Sequence, residues 1–342
     1  MKKALYYGQY PSYSTWRYIN KADQRGRDRE RPMTRLAPRP QRRTLGDTDL
    51  SCFPLAYGLW RFAGTGVKEA RAKIEMALEV GIDLFDNADV YGCDGGGAFG
   101  DAEALFGEVM ADAPALRERM LVATKGGIVL GVPYDSSAEY LRAAVEASLR
   151  RMKIDVIDIY QIHRPDFLTH PAEIARVLTA LREAGKIREV GVSNYTPSQF
   201  EALQAHLDFP IATHQPEFSC WSHGALRDGI LDQCMARNVT PLVWSPLAGG
   251  RLGMDSAAAK ASADGPRLAA TIDALDAVAT ESGVPRSAVA LAWTMVHPSG
   301  IIPIIGTQRL ERIRESVRAF ETQFTRTQWN QILIAAQGYP LP

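Results

Sequence analysis

Val156-Ile157-Asp158-Ile159-Tyr160-Gln161-Ile162-His163 is a mostly apolar run of strand length that ends on a histidine. An amphipathic stretch, Pro171–Ala184, follows and stops at Gly185; a second apolar run, Glu189–Ser193, comes next. Strands joined by a crossover of helical length lie parallel, since parallel neighbours need a long connection. A run without clean polar alternation suits a strand covered on both faces. The unit is β–α–β.

The same unit recurs on both sides. Candidate strands are Leu55–Gly58, Leu84–Asn87, Leu121–Lys125, Val156–His163, Glu189–Ser193, Ala212–Gln215, Pro241–Trp244 and Ile302–Ile305. Helical patterns fall between and after them, at Val67–Val80, Asp101–Met110, Ser137–Met152, Pro171–Ala184, Pro197–Leu207, Ala225–Arg237, Pro266–Ser282 and Leu310–Phe320. An eightfold β/α repeat closes more naturally as a (β/α)8 TIM barrel than as an open sheet. Residues 43–51 read as an N-terminal hairpin turning at Gly46-Asp47, and two extra helices, Arg286–His297 and Thr325–Gln337, fall outside the repeat. The Gly-rich connection Leu247–Gly265 reads as a long irregular loop, a kind that tends to be functional. One barrel domain is expected over residues 43–342, preceded by a basic, disordered tail, 1–42.

Composition bounds the rest. With 342 residues, 46% of them apolar and 23% charged, the chain is of ordinary globular make-up. No uncharged apolar run is long enough for a membrane span, and the first residues break too early for a secretory leader. Cys52, Cys93, Cys220 and Cys234 have no CxxC or zinc spacing and read as thiols of a reducing compartment, so a cytoplasmic protein is expected. The neutral total hides an asymmetry: residues 1–43 carry 12 Lys and Arg against 3 Asp and Glu, and the remainder is correspondingly acidic. The basic head reads as a solvated tail, and the acidic body argues against nucleic acid as a partner. His170, His206, His214, His223 and His297 show no HxH or HExxH spacing, so no metal is expected; Ser193 lacks a nucleophile elbow.

A barrel carries its chemistry where the strands end. Asp86, Asn87, Asp89 and Tyr91 follow the second strand; Lys125, His163, Ser193-Asn194 and Gln215 end the next four. Tyrosine is too weak an acid for neutral pH unless a cation lies beside it. Lys125 could be that cation, with Asp86 holding it charged, and His163 could share a substrate oxygen with Tyr91. These groups make a proton donor aimed at a carbonyl oxygen. No side chain supplies a hydride, so a nicotinamide cofactor is required.

Phe85-Asp86-Asn87-Ala88-Asp89-Val90-Tyr91-Gly92 resembles the signature of the aldo-keto reductases, and the resemblance continues through Thr124-Lys125, Ile159–Asp166, Gly191–Tyr195, Trp244–Leu247 and Ile302–Thr307. The wording is closest to bacterial members. The resemblance implies a reversible, NAD(P)H-dependent reduction of a small-molecule aldehyde or ketone, with Tyr91 as acid, Lys125 and Asp86 as its tuners and His163 orienting the carbonyl. Trp60, Tyr91 and His163 would line the substrate pocket. Gly58, Trp60 and Asp86 would touch the cofactor; Ser193, Asn194 and Gln215 would bind its carboxamide, and Trp244 would stack on its ring. Ser245, Pro246, Leu247, Gly249 and Arg251 fall in the loop over the pyrophosphate. Gly306, Thr307, Arg312, Glu315 and Ser316 match the adenosine end, where Arg309 adds charge, so NADP(H) is expected ahead of NAD(H). Gly306 stands where many relatives have a lysine. No Gly-x-Gly-x-x-Gly opens a helix, so the dinucleotide site is not of Rossmann type. The competing reading is a cofactor-binding regulatory subunit with negligible turnover. Substrate and oligomeric state stay open.

Overall fold

Eight strands close a parallel barrel in the order of the sequence: β3 (Ala56–Gly58), β4 (Leu84–Asp86), β5 (Leu121–Gly126), β6 (Ile157–Ile162), β7 (Ile187–Ser193), β8 (Thr213–Gln215), β9 (Thr240–Val243) and β10 (Ile302–Ile305), with β10 pairing back onto β3. The computed structural model describes residues 35–93 and 96–341. The expectations for the tail up to residue 34 lie outside them. Ahead of the barrel, β1 (Arg43–Thr44) and β2 (Ser51–Cys52) form the antiparallel hairpin.

The hairpin plugs the barrel floor. Leu45, Leu50 and Cys52 pack with the inward-facing Ala56, Leu84, Ala123, Ile159, Leu242, Ile302 and Ile304. Gly46 carries the turn at φ +57°, and a Cβ there would meet the Ala212 carbonyl oxygen at 2.9 Å. Stepping two residues along each strand moves up the interior and changes its chemistry: Leu84 gives way to Asp86, Ala123 to Lys125, and Ile159 to Gln161. The floor is apolar and the top polar, which confines the charged groups to one end.

Helices α1 (Val67–Glu79), α2 (Asp101–Asp112), α3 (Ala138–Met152), α4 (Pro171–Glu183) and α5 (Pro197–Gln204) follow the sequence reading to within a few residues. The pattern at Ala225–Arg237 is broken: a 3-10 turn at Gly224–Leu226 precedes α6 (Ile230–Arg237), with Gly229 at φ +87° between them. The connection Leu247–Gly265 is not irregular throughout. It holds a 3-10 turn (Ala248–Gly253) and α7 (Ser256–Ala261), and Arg286 Nη1 pins it by donating to the Leu252 and Met254 carbonyls at 3.2 and 2.5 Å. α8 (Gly265–Ser282) closes that crossover, and α10 (Leu310–Ser316) ends early, continuing as a 3-10 turn, Val317–Glu321. The two extra helices are α9 (Arg286–Met295) and α11 (Arg326–Gln337). Trp293 and Trp329 stack between them at 4.5 Å, each indole N–H donating to the other's carbonyl.

The compact unit begins at Leu36, ahead of the boundary expected at 43. Leu36 and Phe324 exchange two backbone hydrogen bonds of 2.8 Å, and Arg42 pairs with Asp83. Nothing in the local sequence signals a pairing between positions so far apart.

Candidate active site

Asp86 ends β4 pointing into the barrel, and Lys125 reaches it from the neighbouring β5. The Lys125 ammonium, fully buried, donates to Asp86 Oδ2 at 2.8 Å and to the Asn87 carbonyl at 2.6 Å. The second Asp86 oxygen accepts from Gln215 Nε2 at 2.9 Å and Gln161 Nε2 at 3.3 Å. A buried carboxylate is tolerable only when it is paired and its lone pairs are satisfied. Here one cation and two amides do so. Gly191 makes room for this layer, because a Cβ there would strike Thr213 Oγ1 at 2.2 Å and Gln161 Cγ at 2.8 Å.

Tyr91 closes the top. It sits five residues after Asp86, in a turn held by the Asp89 N–H donating to the Lys125 carbonyl at 2.9 Å. Lys125 Nζ lies 4.6 Å from the Tyr91 ring centroid, and the His163 ring meets Tyr91 edge-on at 5.8 Å. Burial raises the phenol's pKa above its ordinary value; the Lys125 cation opposes this and the Asp86 carboxylate adds to it. Burial alone would lower the Lys125 pKa, but Asp86 and Tyr91 outweigh it and hold the ammonium charged. Burial, then Lys125 and Arg164, push His163 well below its ordinary range, so its ring is neutral at pH 7. A neutral imidazole offers one donor and one acceptor. Its Nδ1 is buried without a partner.

The mouth on the far side is built by β7 to β9. Ser193 Oγ donates to the Gln215 carbonyl at 2.9 Å, and Asn194 Nδ2 donates to Ser193 Oγ at 2.7 Å. Asn194 adopts φ +59°, which asparagine tolerates better than most residues. Its amide spans two strand ends, donating to the His163 carbonyl at 3.4 Å and accepting from the Trp244 indole at 3.0 Å. Trp244 lies just past β9, its backbone N–H donating to the Pro216 carbonyl at 3.1 Å. Trp60 is 43% exposed after β3.

The remaining expected residues divide. Ser245, Leu247, Gly249 and Arg251 lie at or near the surface of the pinned connection, Pro246 is buried, and Arg251 pairs with Asp264 at 3.2 Å. Gly306, Thr307, Arg309, Arg312 and Glu315 lie exposed or half-buried at the end of β10 and on α10. Ser316 is buried, and its hydroxyl donates to the Ile313 carbonyl at 2.7 Å. Gly58 is buried in the barrel wall against the Ile304 side chain. Gln215 spends its amide nitrogen on Asp86. Gln161 was absent from the expected site, although its place two residues before His163 puts it on the inward face.

Asp89 also departs from expectation. It turns away from the mouth into the barrel wall, where Tyr140 donates to its Oδ2 at 3.0 Å and its Oδ1 has no partner. Burial, then the nearby Glu103 carboxylate, push its pKa to about 7. It is then protonated in the fold over a range where the unfolded chain is already ionised. Stability therefore falls as pH rises from about 4 towards 7, by up to ~1.4 kcal/mol per pH unit. Thermal midpoints of Asp89→Asn should decline less than those of the parent across this window; equal slopes would contradict the assignment.

Among the described residues, no cluster of His, Cys, Asp and Glu could hold a metal, and no helix is long and apolar enough to cross a membrane. A surface cavity of about 860 Å³ lies at the opposite end of the barrel, lined by Arg117, Asp158, Arg182 and Arg188, away from the Tyr91 site. Its arginines Arg117 and Arg188 are already paired with Asp158, at 2.8 and 3.0 Å.

Residues 54–336 match the family model described as Aldo/keto reductase family, and the chain belongs to that family. It is 49% identical over 312 residues to the 6-dehydroglucose reductase of Novosphingobium aromaticivorans, covering 91% of this chain and all of that protein. A 6-dehydroglucose reductase of Agrobacterium fabrum is 36% identical over 310 residues, covering 87% of this chain and 98% of the relative. Among solved structures, a glycerol dehydrogenase from Gluconobacter oxydans superposes with a TM-score of 0.76 at 28% identity, over 89% of this chain and 98% of that one. Family and relatives together make this chain an oxidoreductase of carbonyl compounds.

Proposed function

We propose that this protein reduces an aldehyde or ketone of a sugar-like substrate with NADP(H), the proton coming from Tyr91. The observation that carries the reading is the buried Asp86–Lys125 pair set 4.6 Å from the Tyr91 ring, with a neutral His163 on the other edge. The sugar-like substrate rests on the 6-dehydroglucose reductases, which act on such a compound by name.

Bound nicotinamide supplies the hydride. The residues present fit such a cofactor. Trp244 has its indole anchored to Asn194, and the Gly249 and Gly306 positions have open space where a side chain would stand. His163 and Tyr91 are placed to hold one carbonyl oxygen between two donors. As that oxygen gains charge, Tyr91 gives up its proton, and Lys125 stabilises the tyrosinate left behind. Asp86 does not react; it keeps Lys125 charged and in place. A steady-state assay of nicotinamide absorbance against a panel of aldehydes and ketones tests the reading. Sugar-derived carbonyl compounds are expected to be reduced, and no turnover of any aldehyde or ketone would contradict it.

The preference for NADPH rests on Arg312. Arg309 is drawn to Glu311 at 3.5 Å, whereas Arg312 has no carboxylate partner among the described residues. A guanidinium can bind phosphate through two parallel hydrogen bonds. Arg312→Ala should weaken NADPH by about tenfold and NADH little, a charged hydrogen bond being worth ~1.5 kcal/mol or more. Dissociation constants from fluorescence quenching check this; equal loss for both cofactors would move the phosphate site elsewhere.

A further inference from the structure

Arg164 immediately follows His163 at the mouth of β6 and is half-buried. Its guanidinium carbon lies 5.8 Å from the Trp244 ring centroid. Asn194 ties the His163 carbonyl to the Trp244 indole, so Arg164 stands along the wall that joins those two residues. Several other half-buried arginines of this protein are matched with carboxylates, Arg117 with Asp158 at 2.8 Å, Arg151 with Glu103 at 2.6 Å and Arg286 with Asp276 at 2.6 Å, whereas Arg43 of the hairpin, like Arg164, is not. Arg164 has no such partner among the described residues. Its neighbour Asp166 is spent on the Ser136 and Leu168 N–H groups and the Thr169 hydroxyl, at 2.8, 2.9 and 2.7 Å.

A partly desolvated cation without a counter-charge is unfavourable unless something else satisfies it. The Trp244 face meets part of that charge, but a guanidinium also offers five N–H donors in a fixed fork and no acceptor, and those donors are matched only by oxygen acceptors. We propose that Arg164 is the specificity residue of this site, binding an oxygen carried on the carbon next to the reacting carbonyl. This rests on the reductase reading above, because the carbonyl held by Tyr91 and His163 brings that neighbouring carbon to Arg164. The acceptor is either a hydroxyl, as in a sugar aldehyde, or a carboxylate, as in a 2-oxo acid. An aldehyde with a plain alkyl chain leaves the guanidinium unmatched.

The test compares kcat and KM of the parent, Arg164→Met and Arg164→Lys on glyceraldehyde, glyoxylate and propanal, with NADPH affinity measured in parallel. The expected result is that Arg164→Met lowers the kcat/KM ratio of an oxygenated substrate over propanal by about tenfold to a hundredfold. The loss should fall mainly in KM, and Arg164→Lys should recover part of it. Loss confined to glyceraldehyde assigns the site to a hydroxyl, and loss confined to glyoxylate assigns it to a carboxylate. An equal effect on all three substrates, or a loss explained wholly by weaker NADPH binding, would overturn the proposal. A parent protein that reduces none of the three would instead overturn the reductase reading, and this inference with it.

Discussion

Tyr91→Phe should lower kcat for an aldehyde by ~10²–10⁴-fold while nucleotide affinity stays within a few-fold, because the loss of a positioned acid costs about that much. The change deletes one oxygen. Phenylalanine keeps the ring that packs against His163 at 5.8 Å and that the Lys125 ammonium approaches at 4.6 Å. Folding is therefore expected to be unaffected, and any loss reports on the hydroxyl. The pH dependence gives a second handle. The phenol's pKa is raised and His163 is neutral, so neither changes state near pH 7 and the reduction rate should be flat there. A Phe variant with the parent's kcat would remove Tyr91 from the chemistry.

Lys125→Met should be comparably damaging, and for two separable reasons. The tyrosinate loses the cation that stabilises it, which is the kinetic effect. Asp86, only 3% exposed, also loses its counter-charge and keeps only the amides of Gln161 and Gln215. Breaking a buried pair by removing one partner typically costs ~3–5 kcal/mol of stability. The two effects part in the double variant Lys125→Met with Asp86→Asn. Removing the stranded carboxylate should restore much of the thermal midpoint without restoring turnover. If the double variant regained activity along with stability, Lys125 would be a packing element and not a tuner of Tyr91.

The barrel was legible because its strands are apolar runs that end abruptly on polar residues, and because the crossovers are too long for hairpins. Asp86, Lys125 and His163 could be picked out for the same reason: each breaks an apolar run at the end where a barrel opens. Gln161 was hidden by β6 itself. Both faces of that strand are buried, so Tyr160 and Ile162 give no polar contrast that would mark Gln161 as inward-facing. Asp89 was misplaced because the chain turns after β4, and a turn breaks the two-residue periodicity that assigns faces. The bridge from Leu36 to Phe324 and the Arg286 clamp on the Leu247–Gly265 connection are long-range contacts without a local pattern. In the sequence Arg164 stands only as part of the stretch Ile159–Asp166. Its place over the Trp244 ring beside His163, without a carboxylate partner among the described residues, emerges only from the fold.

Tyr91, Lys125, Asp86 and His163 are proposed to form a working carbonyl-reduction site beside a bound nicotinamide. A single-turnover experiment decides this: protein preloaded with one equivalent of NADPH is mixed with excess glyceraldehyde. The nicotinamide absorbance is expected to decay to completion in one exponential, with an equal amount of glycerol formed, and Tyr91→Phe is expected to bind NADPH but leave it unoxidised. Tightly bound NADPH that persists in the parent protein through this and other aldehydes and ketones would mark a nucleotide-binding protein without turnover instead of a reductase.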